Sequence, residues 1–256
     1  MTESTSEADR AGRLSAAVQL KSLSKVYGNG ASLVKALQDV TLTFPKATFT
    51  AVMGPSGSGK STLLNCTAGL DRATSGHVLI DDIDLTQLNE KQLTLMRRRH
   101  LGFVFQSLNL LPALTAEQNI LLPLRLAKRP TGPEREWLVE LIERMGIGGR
   151  IHSRPAKMSI GQQQRVAIAR ALIAHPVVVF ADEPTGALDT KSSADVLSLL
   201  RDAVDALRQT VVMVSHDPTA AVRADRVVFL VDGRIVDDMA APTVERIADR
   251  MTRLEG

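Results

Sequence analysis

The sequence predicts an α/β domain built on a largely parallel sheet, and three observations carry that prediction. Val177–Ala181, Val211–Ser215 and Val227–Val231 are continuous apolar runs of strand length, as expected of strands buried on both faces. A glycine-rich stretch, Gly54–Thr62, stands between a strand-like Ala47–Met53 and a helix expected over Lys60–Ala68. Strand and helix patterns alternate along the second half of the chain, which is the order a parallel sheet requires.

Each element follows from its own pattern. Val18–Leu23 and Val40–Phe44 alternate apolar and polar residues, as half-buried strands do, with a turn between them at Gly28-Asn29-Gly30. An antiparallel pair is expected around His77–Ile83, turning at Asp81-Asp82, and another strand at Leu101–Phe105. From Ser107 to about Ala156 the pattern turns helical. Thr115 with Gln118, and Thr131 with Glu134, have the form of capping boxes. Trp137, Leu138, Leu141, Ile142 and Met145 recur at helical spacing until Gly146 closes the segment. This stretch holds no catalytic residue types in a useful arrangement and reads as an inserted helical lobe. Met1 to about Ala16 is polar and is expected to be a disordered tail.

Composition narrows the functional classes. The chain has 256 residues, with 44% hydrophobic and a formal net charge of +3. That charge is too small to argue for nucleic acid by itself. The single cysteine, Cys66, excludes an intrachain disulfide and a cysteine-based zinc site and reads as a core-facing helix residue. The longest apolar run, Pro176–Ala181, falls far short of the roughly 18–20 residues that span a bilayer. A soluble protein is expected, with any membrane role supplied by a partner. Arg97-Arg98-Arg99-His100 reads either as a phosphate or lipid patch or as a solvated helix face.

Gly54-Pro55-Ser56-Gly57-Ser58-Gly59-Lys60-Ser61, followed by Thr62, fits G-x-x-x-x-G-K-[ST] between strand and helix. Glycines let the backbone curl so that successive N–H groups point inward at phosphate oxygens. The helix starting near Lys60 turns its positive end to the same anion. Lys60 is suited to the β- and γ-phosphates, and the Ser61 hydroxyl to Mg²⁺. Val177–Ala181 ends in Asp182 and Glu183: Asp182 is the candidate metal-side carboxylate and Glu183 the candidate general base. Taken alone, that pair also reads as a solvated acidic turn before Pro184.

A third stretch, Met158-Ser159-Ile160-Gly161-Gln162-Gln163-Gln164-Arg165, precedes an expected amphipathic helix at Val166–Ala174. Read by itself it is a polar helix cap by Ser159. In company with the two preceding motifs it resembles the LSGGQ signature of ABC transporter ATPases, with Ile160 where glycine is usual. If that position needs φ > 0, a β-branched residue is strained there; the backbone contacts from Ser159 and Gly161 are expected to survive. The resemblance covers roughly Val18–Asp237 and places further residues in family order. Gln106 matches the Q-loop glutamine, beside the metal and reporting on the γ-phosphate. Gly186-Ala187-Leu188-Asp189 resembles the D-loop, His216 the switch histidine, and Tyr27 the aromatic that stacks on adenine. Outside that context His216 reads as a surface histidine and Tyr27 as a turn aromatic.

The resemblance implies a P-loop NTPase fold: a RecA-like core with an antiparallel β-subdomain and an inserted α-helical subdomain at about 107–157, within an ATPase domain over 17–256. It implies ATP and Mg²⁺ as cofactors, catalytic roles for Glu183, His216 and Gln106, and nucleotide contacts from Ser159, Gly161, Gln162 and Asp189. It also implies a head-to-tail homodimer or heterodimer that closes over two ATP molecules. An integral-membrane permease is the expected partner, on the cytoplasmic face of the membrane, and no nucleic acid. The segment Ser107–Leu124, with its leucine pairs, is the candidate permease contact; ordinary packing is the alternative for most of these leucines. Tyr27–Gly30, Val34–Leu37, Gly102–Pro112 and Gln162–Ala171 bring the chain nearest to the lipoprotein-releasing, macrolide-exporting and cell-division ATPases. The other class open to such a sequence is an ABC-type ATPase acting on DNA or ribosomes. Against it stand the short interval between phosphate loop and signature and the single ATPase unit.

Overall fold

A computed structural model describes residues 16–130 and 132–255. The first half runs β1 (Ala16–Tyr27), β2 (Val34–Pro45), β3 (Phe49–Met53), α1 (Lys60–Thr67), β4 (Ser75–Ile80), β5 (Ile83–Asp84), α2 (Glu90–His100) and β6 (Leu101–Phe105). The helical lobe holds α3 (Ala116–Ile120), α4 (Leu122–Leu126) and α5 (Arg135–Met145). Then follow α6 (Ile160–Leu172), β7 (Val178–Asp182), α7 (Thr190–Asp205), β8 (Val211–Val214), α8 (Pro218–Ala221), β9 (Arg226–Val231), β10 (Arg234–Ala240) and α9 (Val244–Glu255).

Two sheets result. One is a four-stranded antiparallel sheet in the order β2-β1-β4-β5, the other a six-stranded sheet in the order β10-β9-β3-β8-β7-β6. All neighbours in the second sheet are parallel except the β9–β10 hairpin. The apolar runs form its centre because alternate residues serve two cores. Val52, Phe180, Val212, Val214, Val228 and Leu230 pack toward α1 and the antiparallel sheet. Ala51, Met53, Val179, Ala181, Met213 and Phe229 pack toward the helices of the opposite face. A strand with both faces buried has no polar face to show, which is why these runs lack alternation.

Several expected boundaries move. β1 begins at Ala16, inside the segment assigned to the tail, and runs on to Tyr27, so Tyr27 ends a strand. Residues 1–15 lie outside the described residues. So does Thr131, and with it the second capping box. α5 starts at Arg135 with Glu134 at its N-cap, and no side-chain cap is formed there. The Glu134 carboxylate instead meets Arg129 at 2.7 Å and His175 at 3.1 Å. Thr115–Gln118 forms the capping box of α3, and Gly146 closes α5 in the left-handed conformation at φ 62°. Cys66 is buried, and burial pushes its thiol up to about 11.

Candidate active site

The parallel register gathers the chemistry at one edge. Phe105 pairs with Asp182 and Asp182 with Val214, while Val52 also pairs with Val214. The residues that follow these strands are Gln106, Glu183, His216 and the Gly54 loop, so all four leave the carboxyl ends of adjacent strands. Ligands of open α/β sheets bind along that edge.

The loop itself is shaped by close approaches. A Cβ at Gly54 would stand 1.9 Å from the Leu230 carbonyl oxygen, and one at Gly59 2.4 Å from that of Ala36. Gly59 is left-handed at φ 104° and caps α1 without any side-chain acceptor. The first N–H groups of α1 therefore lack side-chain partners and face outward with the positive end of the helix. Ser58 Oγ is buried with no hydrogen-bond partner. Lys60 turns back on its own loop, donating to the carbonyls of Gly54 at 2.8 Å and Pro55 at 2.7 Å. Burial pulls its ammonium below the usual lysine range, against the raising effect of Glu183 and Asp182.

Gly54, Gly59 and Lys60 line a cleft of about 850 Å³ that also takes in Pro55, Ser56, Gly57, Ser61, Thr62, Glu183 and His216. Glu183 sits at φ 44°, an uncommon conformation for a glutamate, and its Oε1 is 2.9 Å from His216 Nδ1. Asp182 lies at the end of β7, and burial, then the charge of Glu183, raises its carboxyl above the usual range while Lys60 opposes this. Gln106 packs against Gly186 of the turn beyond Glu183, where an added Cβ would lie 2.7 Å from its Nε2. The same turn is held from beneath by buried Gln164, which donates to the Pro184 carbonyl at 2.8 Å.

The signature stretch stands apart. It does not precede a helix but opens one: α6 begins at Ile160, because Ser159 and Gln162 form a capping box. The Ser159 N–H is taken by Gln162 Oε1 at 3.1 Å. The N–H groups of Ile160 and Gly161, in the first turn, have no intrahelical partner. Ile160 is not among the residues with positive φ, and it is half exposed. Ser159, Gly161, Gln162 and Arg165 line a separate hollow of about 230 Å³ with Gly146, Ser192 and Asp195. Asp189 caps α7, accepting from the Ser192 N–H at 3.0 Å and the Ser192 hydroxyl at 2.7 Å. Tyr27 lies beyond the cleft lining, with its hydroxyl on Asp71 at 2.6 Å.

The family described as ABC transporter matches residues 37–186, more than half of the chain. The chain is 46% identical to the uncharacterized ABC transporter ATP-binding protein YvrO of Bacillus subtilis, covering 86% of this chain and 95% of YvrO. The chain belongs to the ABC transporter family.

Within this family it is 46% identical to the lipoprotein-releasing system ATP-binding protein LolD of Anaeromyxobacter dehalogenans, covering 86% of this chain and 93% of that one. Against the macrolide export ATP-binding/permease protein MacB of Hyphomonas neptunium, 42% identical, it spans 34% of the relative's length. A dimeric post-hydrolysis structure of the ATP-binding cassette MJ0796 bound to ADP and Pi superposes with a TM-score of 0.79 and 40% identity, over 88% of this chain and 99% of that one. The chain has the ABC cassette fold and is an ATP-binding, ATP-hydrolysing transport subunit.

The sequence named the loop, both carboxylates and His216. It did not point to Val34–Ala36, Gln38, Asp232, Gly233 and Met251, which complete the cleft wall. Their signal was absent because they arrive from β2, the β9–β10 turn and α9, far apart in the chain. Gly233 is legible only in three dimensions: its N–H supports the Ser58 carbonyl at 2.9 Å. Of the leucines set aside for a partner, Leu121 and Leu124 are buried in the core, whereas Leu111 is exposed.

Proposed function

We propose that the chain works as a head-to-tail dimer in which the phosphate-loop cleft of one copy is completed by the signature hollow of the other. One observation carries this reading: the two linings share no residue within a single chain. Phosphate fits the loop, since the uncapped start of α1 offers N–H donors without side-chain acceptors at the cleft. An arriving phosphate also gives Lys60 an anion in place of two loop carbonyls. Mg²⁺ fits the donor set of Ser61 hydroxyl, Asp182 carboxylate and Gln106 amide oxygen, all hard oxygens. Among the described residues no cluster of three or more His, Cys, Asp or Glu side chains forms a metal cage. That suits an ion held largely by phosphate and water.

Chemistry then falls to two residues. Glu183 orients and deprotonates the attacking water, and His216 holds the Glu183 carboxylate and faces the γ-phosphate. When bound, Mg²⁺ supplies neutralisation of the phosphate charge. In the closed dimer Ile160 and Gly161 direct their N–H groups at the nucleotide of the opposite copy, where preorganised dipoles act most strongly. The partner is a membrane permease of the macrolide-export or lipoprotein-release kind, contacted near Gln106 and Leu111, with the subunit peripheral on the inner membrane face. No described helix is long and apolar enough to cross a membrane.

The test is Glu183→Gln. This variant is expected to bind ATP, to accumulate as a dimer on size exclusion in Mg-ATP, and to turn over about 100-fold or more slowly. Near wild-type turnover removes Glu183 from the base role, and a monomer in Mg-ATP removes the composite site.

A further inference from the structure

The only tyrosine is held by its neighbours. Lys25 and Tyr27 are two residues apart on β1 and leave the same face of the strand. The Lys25 ammonium lies 4.6 Å from the Tyr27 ring centroid, within cation–π range. Lys25 is itself fixed: Nζ donates to Asp71 Oδ1 at 2.7 Å and to the Arg72 carbonyl at 2.7 Å. The other oxygen of that carboxylate, Oδ2, accepts the Tyr27 hydroxyl at 2.6 Å. Asp71 stands in the turn leaving α1, where the N–H groups of Leu70 and Asp71 both donate to the Asn65 carbonyl.

These contacts set a cation over one face of the ring, and Tyr27 is still 41% exposed. Lys25, 9% exposed, is buried beneath it. We propose that Lys25 and Asp71 are positioning residues that hold Tyr27 as a one-sided platform for the adenine base. This rests on the reading of Tyr27 as the base-stacking residue. Asp71 ties the platform to the far end of α1, whose near end carries Lys60 and Ser61. Base site and phosphate site are thus set at a fixed separation by one short helix. Ordering the ring before ATP arrives removes an entropic cost from binding. Lys25 keeps its place when a base docks, because its other two partners are protein groups.

The experiment compares affinity for ATP with affinity for inorganic tripolyphosphate, which lacks a base, in the full chain. Tyr27→Ala is expected to weaken ATP about 5- to 100-fold, the range for losing one stacked base. Asp71→Ala and Lys25→Met are expected to weaken ATP about 3-fold or more. Lys25→Arg, which keeps a cation over the ring, stays near wild type. Tripolyphosphate affinity is expected to hold in all four. Wild-type ATP affinity in both Asp71→Ala and Lys25→Met, with Tyr27→Ala impaired, overturns the positioning role and leaves the stacking reading standing. Equal losses for ATP and tripolyphosphate overturn it as well, since they mark a structural effect on the loop. Unimpaired ATP binding by Tyr27→Ala removes the stacking reading and the platform with it.

Discussion

Two glycines of one loop illustrate how differently the same residue type can be constrained. Gly57 has φ 79° with nothing within 4 Å of an added Cβ, whereas a Cβ at Gly54 would stand 1.9 Å from a backbone oxygen. Gly57→Ala therefore meets only the left-handed penalty, about 1–2 kcal/mol. Gly54→Ala must displace β9 or the loop, and is expected to lose more than about 2 kcal/mol on urea denaturation together with ATP binding. Ile160 gives the opposite lesson. Its place in the signature had suggested strain, but it opens a helix with ordinary φ and an exposed side chain. Ile160→Gly is accordingly expected to change the ATPase rate by no more than about twofold, because neither residue disturbs the first-turn N–H groups. A large gain in rate would show that the side chain obstructs the dimer.

At the scale of elements, helix starts divide the labour. α1 begins without a side-chain cap and leaves its donors for an anion, whereas α6 begins with a complete capping box. Ser159→Ala removes half of that box and is expected to cost about 1 kcal/mol by thermal or chemical unfolding. On the proposed head-to-tail dimer, its ATPase loss should exceed what that stability change explains, since Ser159 also lines the signature hollow. α6 further governs the loop after Gln106. The Arg170 guanidinium, whose pKa burial lowers, donates to the carbonyls of Leu108 at 2.8 Å and Asn109 at 2.6 Å. Both of those residues are left-handed, so the sharp turn beyond Gln106 is pinned by the helix that carries the signature.

Across the whole molecule, α1 joins the antiparallel sheet to the parallel one, and its far end depends on a carboxylate. Burial raises the Asp71 carboxyl, but hydrogen bonds from Lys25 and Tyr27 outweigh it and hold the group below its usual 3.8. A lowered folded-state value stabilises the protein above the unfolded-state pKa and is lost as pH falls through the folded one. The stability advantage of wild type over Asp71→Asn is thus expected in full at neutral pH. It should shrink below about pH 4 in urea titrations. An advantage that persists undiminished at pH 2 would mean that Asp71 contributes through packing alone.

The sequence by itself determined the α/β class, the phosphate loop, Asp182, Glu183 and the order of the family's motifs. Those features are local: a glycine pattern, an apolar run ending in acid, a cap box at four-residue range. Tertiary structure decided what lies between distant segments. It placed β2, Gly233 and Met251 in the cleft wall, opened α6 at Ile160, and joined Lys25, Tyr27 and Asp71 into one network. Such contacts depend on strand pairing and on where a turn leaves a helix, and neither leaves a periodic trace in the chain. The separation of the phosphate-loop cleft from the signature hollow belongs to the same order, because it follows from where α1 and α6 start in the folded chain.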